Sequence, residues 1–422
     1  MGLMDPYLIA VCMLFSLLGC AVGVVTGLVP GIHVNTMASL VLLFYPGLSG
    51  LMVQYLEPDH VAVSLCCLIM SASVVHSFMD FIPSVFLGAP DAEDAISILP
   101  GHRLLLKGQG MIAVRSAAIG SLIGCSAAII LAIPMQYIMM AGLADNLDNY
   151  TKIVLLAVSF LILYNEFRRG NILMGMTSFL LAGALGWMVM RLPIPASGVM
   201  GEGTLLMPML SGLFGLPTML TAAEGKPFPK QIDKIKDPVG LIPGLKGVIM
   251  GSVAGWFPGI TSTVGATISA TIMPDRSPER FISTVASIGT VTTVLSLVTL
   301  SISGGGRSGT VIVIGQILGD SITGFATVPF VMLLIAASAA SMIGYALTIG
   351  FGRAIASFLS RVRQDLMNRS ICILLIILTL CLTGPWGMVI LLAGTLIGFI
   401  PVSNDTGKTV LCACLILPVL VM

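Results

Sequence analysis

Charge is what this sequence has least of. Only 9% of its 422 residues are Asp, Glu, Lys or Arg, while 56% are hydrophobic and the mean hydropathy is +1.04. A soluble domain carries about 25% charged residues. A soluble fold of this length cannot keep so much apolar surface dispersed in water, so the composition excludes one and points to a polytopic membrane protein. The same composition excludes a disordered chain. The net charge of +1 offers no basic field to a nucleic acid. Histidine is scarce too: His33, His60, His76 and His102 are scattered and no HExxH occurs. The nine cysteines fall in apolar runs, without metal-ligand spacing to a histidine, and behave as small hydrophobes. Neither a zinc site nor a disulfide scaffold is expected. Ile317-Leu318-Gly319-Asp320 lacks the first glycine of the GxGD motif of intramembrane aspartyl proteases, and no PAL motif accompanies it. No catalytic residue, metal or cofactor is therefore predicted. The opening MGLMDPYLIA has no basic n-region or cleavage site and predicts the first membrane helix rather than a signal peptide.

What abounds is apolar sequence. A helix of about 20 apolar residues crosses a bilayer. Candidate spans fall near 7–29, 33–53, 60–80, 111–140, 151–165, 171–190 and 203–222. In the other half they fall near 240–257, 259–273, 281–303, 308–319, 323–350, 371–383, 386–400 and 404–422. Several are too short or too broken by Gly and Pro for a plain crossing. The expectation is an all-α polytopic membrane protein with about 10–12 transmembrane helices. Re-entrant hairpins are expected at 81–100 and 300–320. Four basic loops fall on the cytoplasmic side by the positive-inside rule, which puts the N-terminus outside. They hold Arg103/Lys107/Arg115, Arg168/Arg169, Lys226/Lys230/Lys234/Lys236 and Arg353/Arg361/Arg363/Arg369. The third divides the chain into an N-terminal transmembrane repeat (1–222), a cytoplasmic linker (223–238) and a C-terminal transmembrane repeat (239–422).

The strongest internal signal is a repeat. GVVTGLVPG at 23–31 recurs as GSVAGWFPG at 251–259, so Gly23, Gly27, Pro30 and Gly31 reappear as Gly251, Gly255, Pro258 and Gly259 at a constant offset of 228 residues. Small polar residues follow each copy: Asn35 and Thr36 in one, Thr261 and Thr263 in the other. A shorter echo, Gly394-x3-Gly398-x2-Pro401, lies near the C-terminus. If the first half starts outside and the second inside, the copies are inverted repeats, as in secondary transporters. A Pro-Gly break frees N–H groups at the start of the next half-helix, and such a start attracts anions. The plainer account is that GxxxG only packs helices and Pro only kinks one.

Polar residues at membrane depth add to this. Asp80 stands among Phe78, Met79, Phe81 and Ile82. A carboxylate there is costly and is a candidate proton or sodium ligand. Asp91, Glu93 and Asp94 follow Pro90; they either bind the coupling ion as well or only cap a short helix. In the second half, Ser303-Gly304-Gly305-Gly306-Arg307-Ser308-Gly309-Thr310 can aim several N–H groups and a guanidinium at one ligand. The alternative is a turn whose Arg307 pairs with Asp320 or Asp80.

Together these residues resemble the large permease subunit of tripartite tricarboxylate transporters, the TctA family, most closely its divergent archaeal-type branch. The resemblance covers most of the chain. It rests on the twin GxxxGxxPG segments, on LGAPDAEDAISILPGHRLLLKGQG (87–110), on LMPMLSGLFGLPTML (206–220) and on the SGGG hairpin. It implies a multi-pass cell-membrane protein whose Pro-Gly breaks form the substrate site. It also implies partnership with a small membrane subunit and an extracytoplasmic binding protein. The resulting expectation is a secondary transporter for a small organic anion such as a carboxylate, coupled to a proton or sodium gradient. Substrate contacts would be Pro30, Gly31, Asn35, Thr36, Pro258, Gly259, Thr261, Thr263, Gly305, Arg307 and Ser308. Asp80, Asp91 and Asp94 would be the coupling-ion ligands. A flippase for a phosphorylated lipid carrier is the alternative, since its headgroup would want the same groups. A homodimer is left open.

Overall fold

The structure, a computed structural model, describes residues 5–29, 34–87, 98–143, 147–193, 195–199, 201–202, 205–221, 229–233, 239–257, 261–306, 308–359, 364–404 and 406–421. In the first half the helices are α1 (Pro6–Leu28), α2 (Val34–Met52), α3 (Pro58–Met79), α4 (Phe81–Leu87), α5 (Ile98–Leu106), α6 (Gly110–Ile138), α7 (Leu147–Arg168) and α8 (Ile172–Arg191). The short α9 (Leu206–Leu210) and α10 (Leu216–Thr221) are joined by a π-helical turn. The second half contains α11 (Leu241–Trp256), α12 (Ser262–Ile272), α13 (Pro278–Ser303), α14 (Gly309–Leu318), α15 (Val328–Leu359), α16 (Gln364–Ser403) and α17 (Ala413–Leu420). A two-residue ladder, Ser197–Gly198 with Gly201–Glu202, is the β-structure among the described residues. Seven described helices are long and apolar enough to cross a membrane, and five more apolar helices are shorter. The chain is an all-α, multi-pass membrane protein.

Local chemistry sets the helix ends. α1 opens on Asp5, whose carboxylate accepts the Tyr7 N–H at 3.0 Å, with Pro6 as its first residue. It closes at Val29, which is extended at φ −97° and ψ 105°. α11 closes the same way at Phe257, φ −80° and ψ 126°. Each precedes a proline, which disfavours the α region in the residue before it. Both helices stop, and α2 and α12 start, at the offset of the sequence repeat.

One expected segment takes a different form. The helix of α3 runs on through Asp80, itself α-helical at φ −62° and ψ −24°, into α4, so residues 81–87 of the expected hairpin are helical, and 88–97 lie outside the described residues. Pro83 has no N–H to give the Met79 carbonyl, which interrupts the hydrogen-bond ladder at Asp80 without ending the helix. The two spans expected at 371–383 and 386–400 both form, as the arms of α16 on either side of the non-helical Gly384 (φ 67°, ψ −158°).

The two central helices, α3 with α4 and α13, are the most enclosed: 89% of the apolar window of each is buried, against 33% for α1. α1 lies along α3, and α11 along α13. The long helices are exchanged: α6 of the first half packs on α13 and α11, whereas α15 of the second packs on α3 and α1. The repeat glycines are the contact faces. A Cβ on Gly23 would meet the Ala72 carbonyl oxygen at 2.6 Å, and one on Gly251 would meet the Val291 Cβ at 2.6 Å. The closeness lets α13 hydroxyls reach α11 carbonyls, Ser287 to Gly244 at 2.7 Å and Thr299 to Gly255 at 3.1 Å. Across the bundle Thr290 donates to the Ser121 carbonyl of α6 at 3.1 Å. Each such bond is worth about 0.6 kcal/mol in a bilayer. Lys246 and Asp275 form a buried ion pair at 2.8 Å, with the Thr284 hydroxyl donating to the same carboxylate at 3.0 Å.

The basic stretch expected as a linker is held down where it is described. The Ile232 N–H donates to the Gly108 carbonyl at 2.7 Å, and the Gln231 amide oxygen accepts the Gly110 N–H at 2.8 Å. Asp233 bridges Arg115 of α6 and Arg353 of α15, the latter at 2.7 Å. Burial opposes its ionisation, but the hydrogen bonds and charges of Arg353 and Arg115 outweigh it and hold its carboxyl below the usual value.

Two predictions follow from these contacts. Gly23→Leu and Gly251→Leu should each destabilise the protein by about 1–3 kcal/mol, read as a lower melting temperature in detergent. Gly50→Ala, which meets nothing within 4 Å, should leave it unchanged. Because the folded pKa of Asp233 is depressed, its clasp is fully present above the ordinary carboxylate pKa of about 3.9 and is lost only as pH falls through the lower folded value. Tryptic cleavage after Lys230 should therefore stay slow from neutral pH down to the limit of the protease's working range, and Asp233→Asn should speed it several-fold at neutral pH.

Candidate functional site

A polar stripe runs down the inner face of α3. Ser73, His76, Ser77 and Asp80 recur at spacings of three and four, which places them on one side of a helix, and all four are buried. The Ser73 hydroxyl lies 3.4 Å from that of Thr310. His76 Nδ1 lies 3.1 Å from the hydroxyl of Thr26, inside the first repeat motif, and Thr26 donates in turn to the Gly23 carbonyl at 3.2 Å. Asp80 is 4% exposed; protein, not lipid, surrounds its carboxylate, which is the only setting in which an intramembrane charge is tolerable.

The second-half hairpin is built to turn. α13 stops at Gly304, left-handed at φ 69°, where a side chain would be strained. Ser308 caps α14, accepting the Val311 N–H at 3.4 Å. Asn35, just past the first break, accepts the Thr310 N–H on its side-chain oxygen at 3.0 Å. A Cβ on Gly309 would meet the Asn35 Cγ at 2.7 Å, so glycine is what lets the two segments touch. Residues far apart in sequence are thereby joined: the helix after the first break and the helix after the second hairpin.

The predicted residues thus divide. Asn35 and Ser308 are brought together. Thr261 caps α12, accepting the Val264 N–H at 3.3 Å, and Thr263 is wholly buried on that helix, its carbonyl accepting the Thr267 hydroxyl at 2.9 Å. α12 packs on α11, α13 and the turn at Lys408–Cys412, where Thr267 donates to the Cys412 sulfur at 3.1 Å. The Gly305 N–H reaches the Ser303 hydroxyl at 3.4 Å. Thr36 lies on the first turn of α2. Pro30, Gly31, Pro258, Gly259, Arg307, Asp91, Glu93 and Asp94 lie outside the described residues. Ser73, His76 and Thr26 escaped the sequence reading as site residues, and Thr310 entered it only as part of the hairpin. Hydroxyls and one imidazole recurring at helical spacing along an apolar span were the signal that could have found them.

Chemically, the helix starts at α12 and α14 carry the partial positive charge of unshared N–H groups. Hydroxyls and the Asn35 carboxamide satisfy part of each start. The start of α14, which packs on α3 beside its buried polar stripe, offers N–H groups to a carboxylate or another anion.

Exchanged bundles of broken helices around a buried polar seam place the protein among membrane permeases. A family model described as the tripartite tricarboxylate transporter TctA family matches residues 13–412, and the chain belongs to that family. An uncharacterized protein of Methanocaldococcus jannaschii, MJ1079, is 29% identical over 313 residues, which cover 70% of each chain. No solved structure matches. The family is one of transporters, and it works in a tripartite system with small membrane subunits and a binding protein.

Asn35→Ala removes the acceptor for the Thr310 N–H and should cost about 1 kcal/mol. Gly309→Ala should also destabilise, but less in the Asn35→Ala background, because the colliding atoms are then gone. Melting temperatures of the two single variants and the double variant measure this coupling.

Proposed function

We propose that the protein is the permease of a secondary active transport system for a small organic anion such as a carboxylate, driven by a proton or sodium gradient. The observation that carries this reading is the Asn35–Thr310 hydrogen bond. It joins the start of α2, which follows the first break, to the start of α14, which follows the second hairpin, beside the buried stripe of α3. The halves act as inverted repeats, with the division at 223–238, and the exchanged α6 and α15 tie them into one body that rocks around the midplane site.

In this mechanism the anion meets the N–H groups after Pro30-Gly31 and Pro258-Gly259. Arg307 supplies a fixed charge with a fork suited to carboxylate. Gly305 lets the hairpin backbone approach, Asn35 and Ser308 hold the start of α14 in place, and Thr36, Thr261 and Thr263 complete the polar lining. Asp80 takes up the driving cation, with Asp91 and Asp94 as further ligands. A neutralised Asp80 no longer repels the incoming carboxylate, so cation and anion enter together. The family supports a small membrane subunit and an extracytoplasmic binding protein as partners that deliver substrate. Nothing in the described residues favours the flippase.

The test is uptake of labelled di- and tricarboxylates into proteoliposomes under an imposed sodium or proton gradient, with the accessory subunits added. Wild-type protein should accumulate at least one of them. Arg307→Ala should reduce that uptake by about tenfold or more, the size of a lost charged hydrogen bond. Uptake untouched by Arg307→Ala would overturn the site, and no gradient-driven uptake of any carboxylate would overturn the function.

A further inference from the structure

The third echo of the repeat motif, Gly394-x3-Gly398-x2-Pro401, plays no part in the anion site. It ends α16, and the chain emerging from it meets a buried carboxylate. Glu166, near the C-terminal end of α7, is 1% exposed. Its Oε1 accepts the Gly407 N–H at 3.3 Å and a guanidinium N–H of Arg169 at 3.2 Å. Its Oε2 is buried and receives no hydrogen bond, and the same holds for the hydroxyl of Thr406, 6% exposed. These two side chains are neighbours. A Cβ built on Gly175 of α8 would meet Glu166 Cβ and Cγ at 2.9 Å and Thr406 Cγ2 at 3.7 Å.

A purely structural salt bridge would not leave this pattern. Arg169 is 59% exposed and reaches only the outer oxygen. The inner oxygen is buried with no hydrogen-bond donor among the described residues, and an unsatisfied buried polar atom is costly. Around it the other features also favour a cation. α16 ends at Ser403, so the carbonyls of its last turn present the negative end of the helix. Pro401 has no N–H to give, which leaves the Ile397 carbonyl without its helical donor. The Pro401 carbonyl instead accepts the Thr406 N–H at 3.1 Å, which folds the chain back on the end of α16, and the next N–H, that of Gly407, goes to Glu166. Carboxylate, hydroxyl and carbonyl oxygens are the ligands of hard cations, and the close walls at Gly175 and Gly407 suit a small one.

We propose that Glu166 and Thr406 form a sodium-binding site at the end of α16, separate from the anion site. Two buried oxygens without a hydrogen-bond partner, on side chains that both border Gly175 at a third Gly/Pro-broken helix end, are what assign it. The site does not depend on the identity of the anion or on transport, so its test uses binding to the purified protein.

In detergent at fixed pH, the melting temperature of the full-length protein should rise saturably by a few degrees as sodium replaces potassium at constant ionic strength. Glu166→Gln should abolish the sodium response. Thr406→Val should raise the half-saturating sodium concentration by roughly tenfold, the loss of one oxygen ligand. Arg169→Ala, which leaves both inner oxygens in place, should keep the response. No sodium-specific rise in wild-type protein would overturn the proposal. So would a rise that survives in both Glu166→Gln and Thr406→Val, because the ion would then sit elsewhere. A melting temperature indifferent to sodium but raised by acid, with the acid effect lost in Glu166→Gln, would make the group a proton carrier and overturn the sodium site. Failure here leaves the anion reading intact, because no residue is shared.

Discussion

Inside a bilayer an apolar helix gains nothing by leaving lipid for another apolar helix. Association must come from close packing and from hydrogen bonds across the contact. The glycine faces of α1 and α11 meet this constraint, and the rest of the structure depends on them. Gly23 lets α1 close on α3 and Gly251 lets α11 close on α13, so that hydroxyls of α13 reach the carbonyls of α11. The central helices are then walled in on all sides and can carry polar groups that no lipid-facing helix could hold. One motif therefore does two things. Its glycines pack, and its proline stops the helix at the edge of the packed region.

The candidate site inherits its position from that packing. Asp80, His76 and Ser73 are tolerable at depth only because α3 is enclosed. The Asn35–Thr310 bond forms only because Gly309 leaves room for it. The helix starts at α12 and α14 are capped by Thr261 and Ser308, so their positive ends are partly spent on the protein itself. What remains is a directional preference for negative charge rather than a cage, which fits a site that must release what it binds.

Much of this was legible in one sequence. The low charge gave the class of protein. The 228-residue offset located both helix breaks, because a proline constrains its predecessor wherever it occurs, and α1 and α11 end at that same offset. Asp80 was conspicuous because nothing near it in sequence is polar. Residues 81–87, expected in a hairpin, are helical because a proline need not end a helix: at Pro83 only the hydrogen bond to the Met79 carbonyl is lost. The pairing of α6 with α13 and of Asp233 with two arginines was not legible. Such contacts join residues far apart, and local patterning carries no trace of a distant partner. Asp233 lies among four lysines and Glu166 beside Arg168 and Arg169, where an acid is unremarkable in sequence.

The exchange of α6 and α15 between halves also bears on biosynthesis. α6 leaves the ribosome long before α13, the helix against which its glycines, Ser121 and Gln136 are fitted. Until then it must wait in the membrane with that face uncovered, where only the insertion machinery or lipid can shield it. The order of translation thus defers the final packing of α6 until the second half has been made, and the contacts that fix it belong to the whole chain rather than to either half.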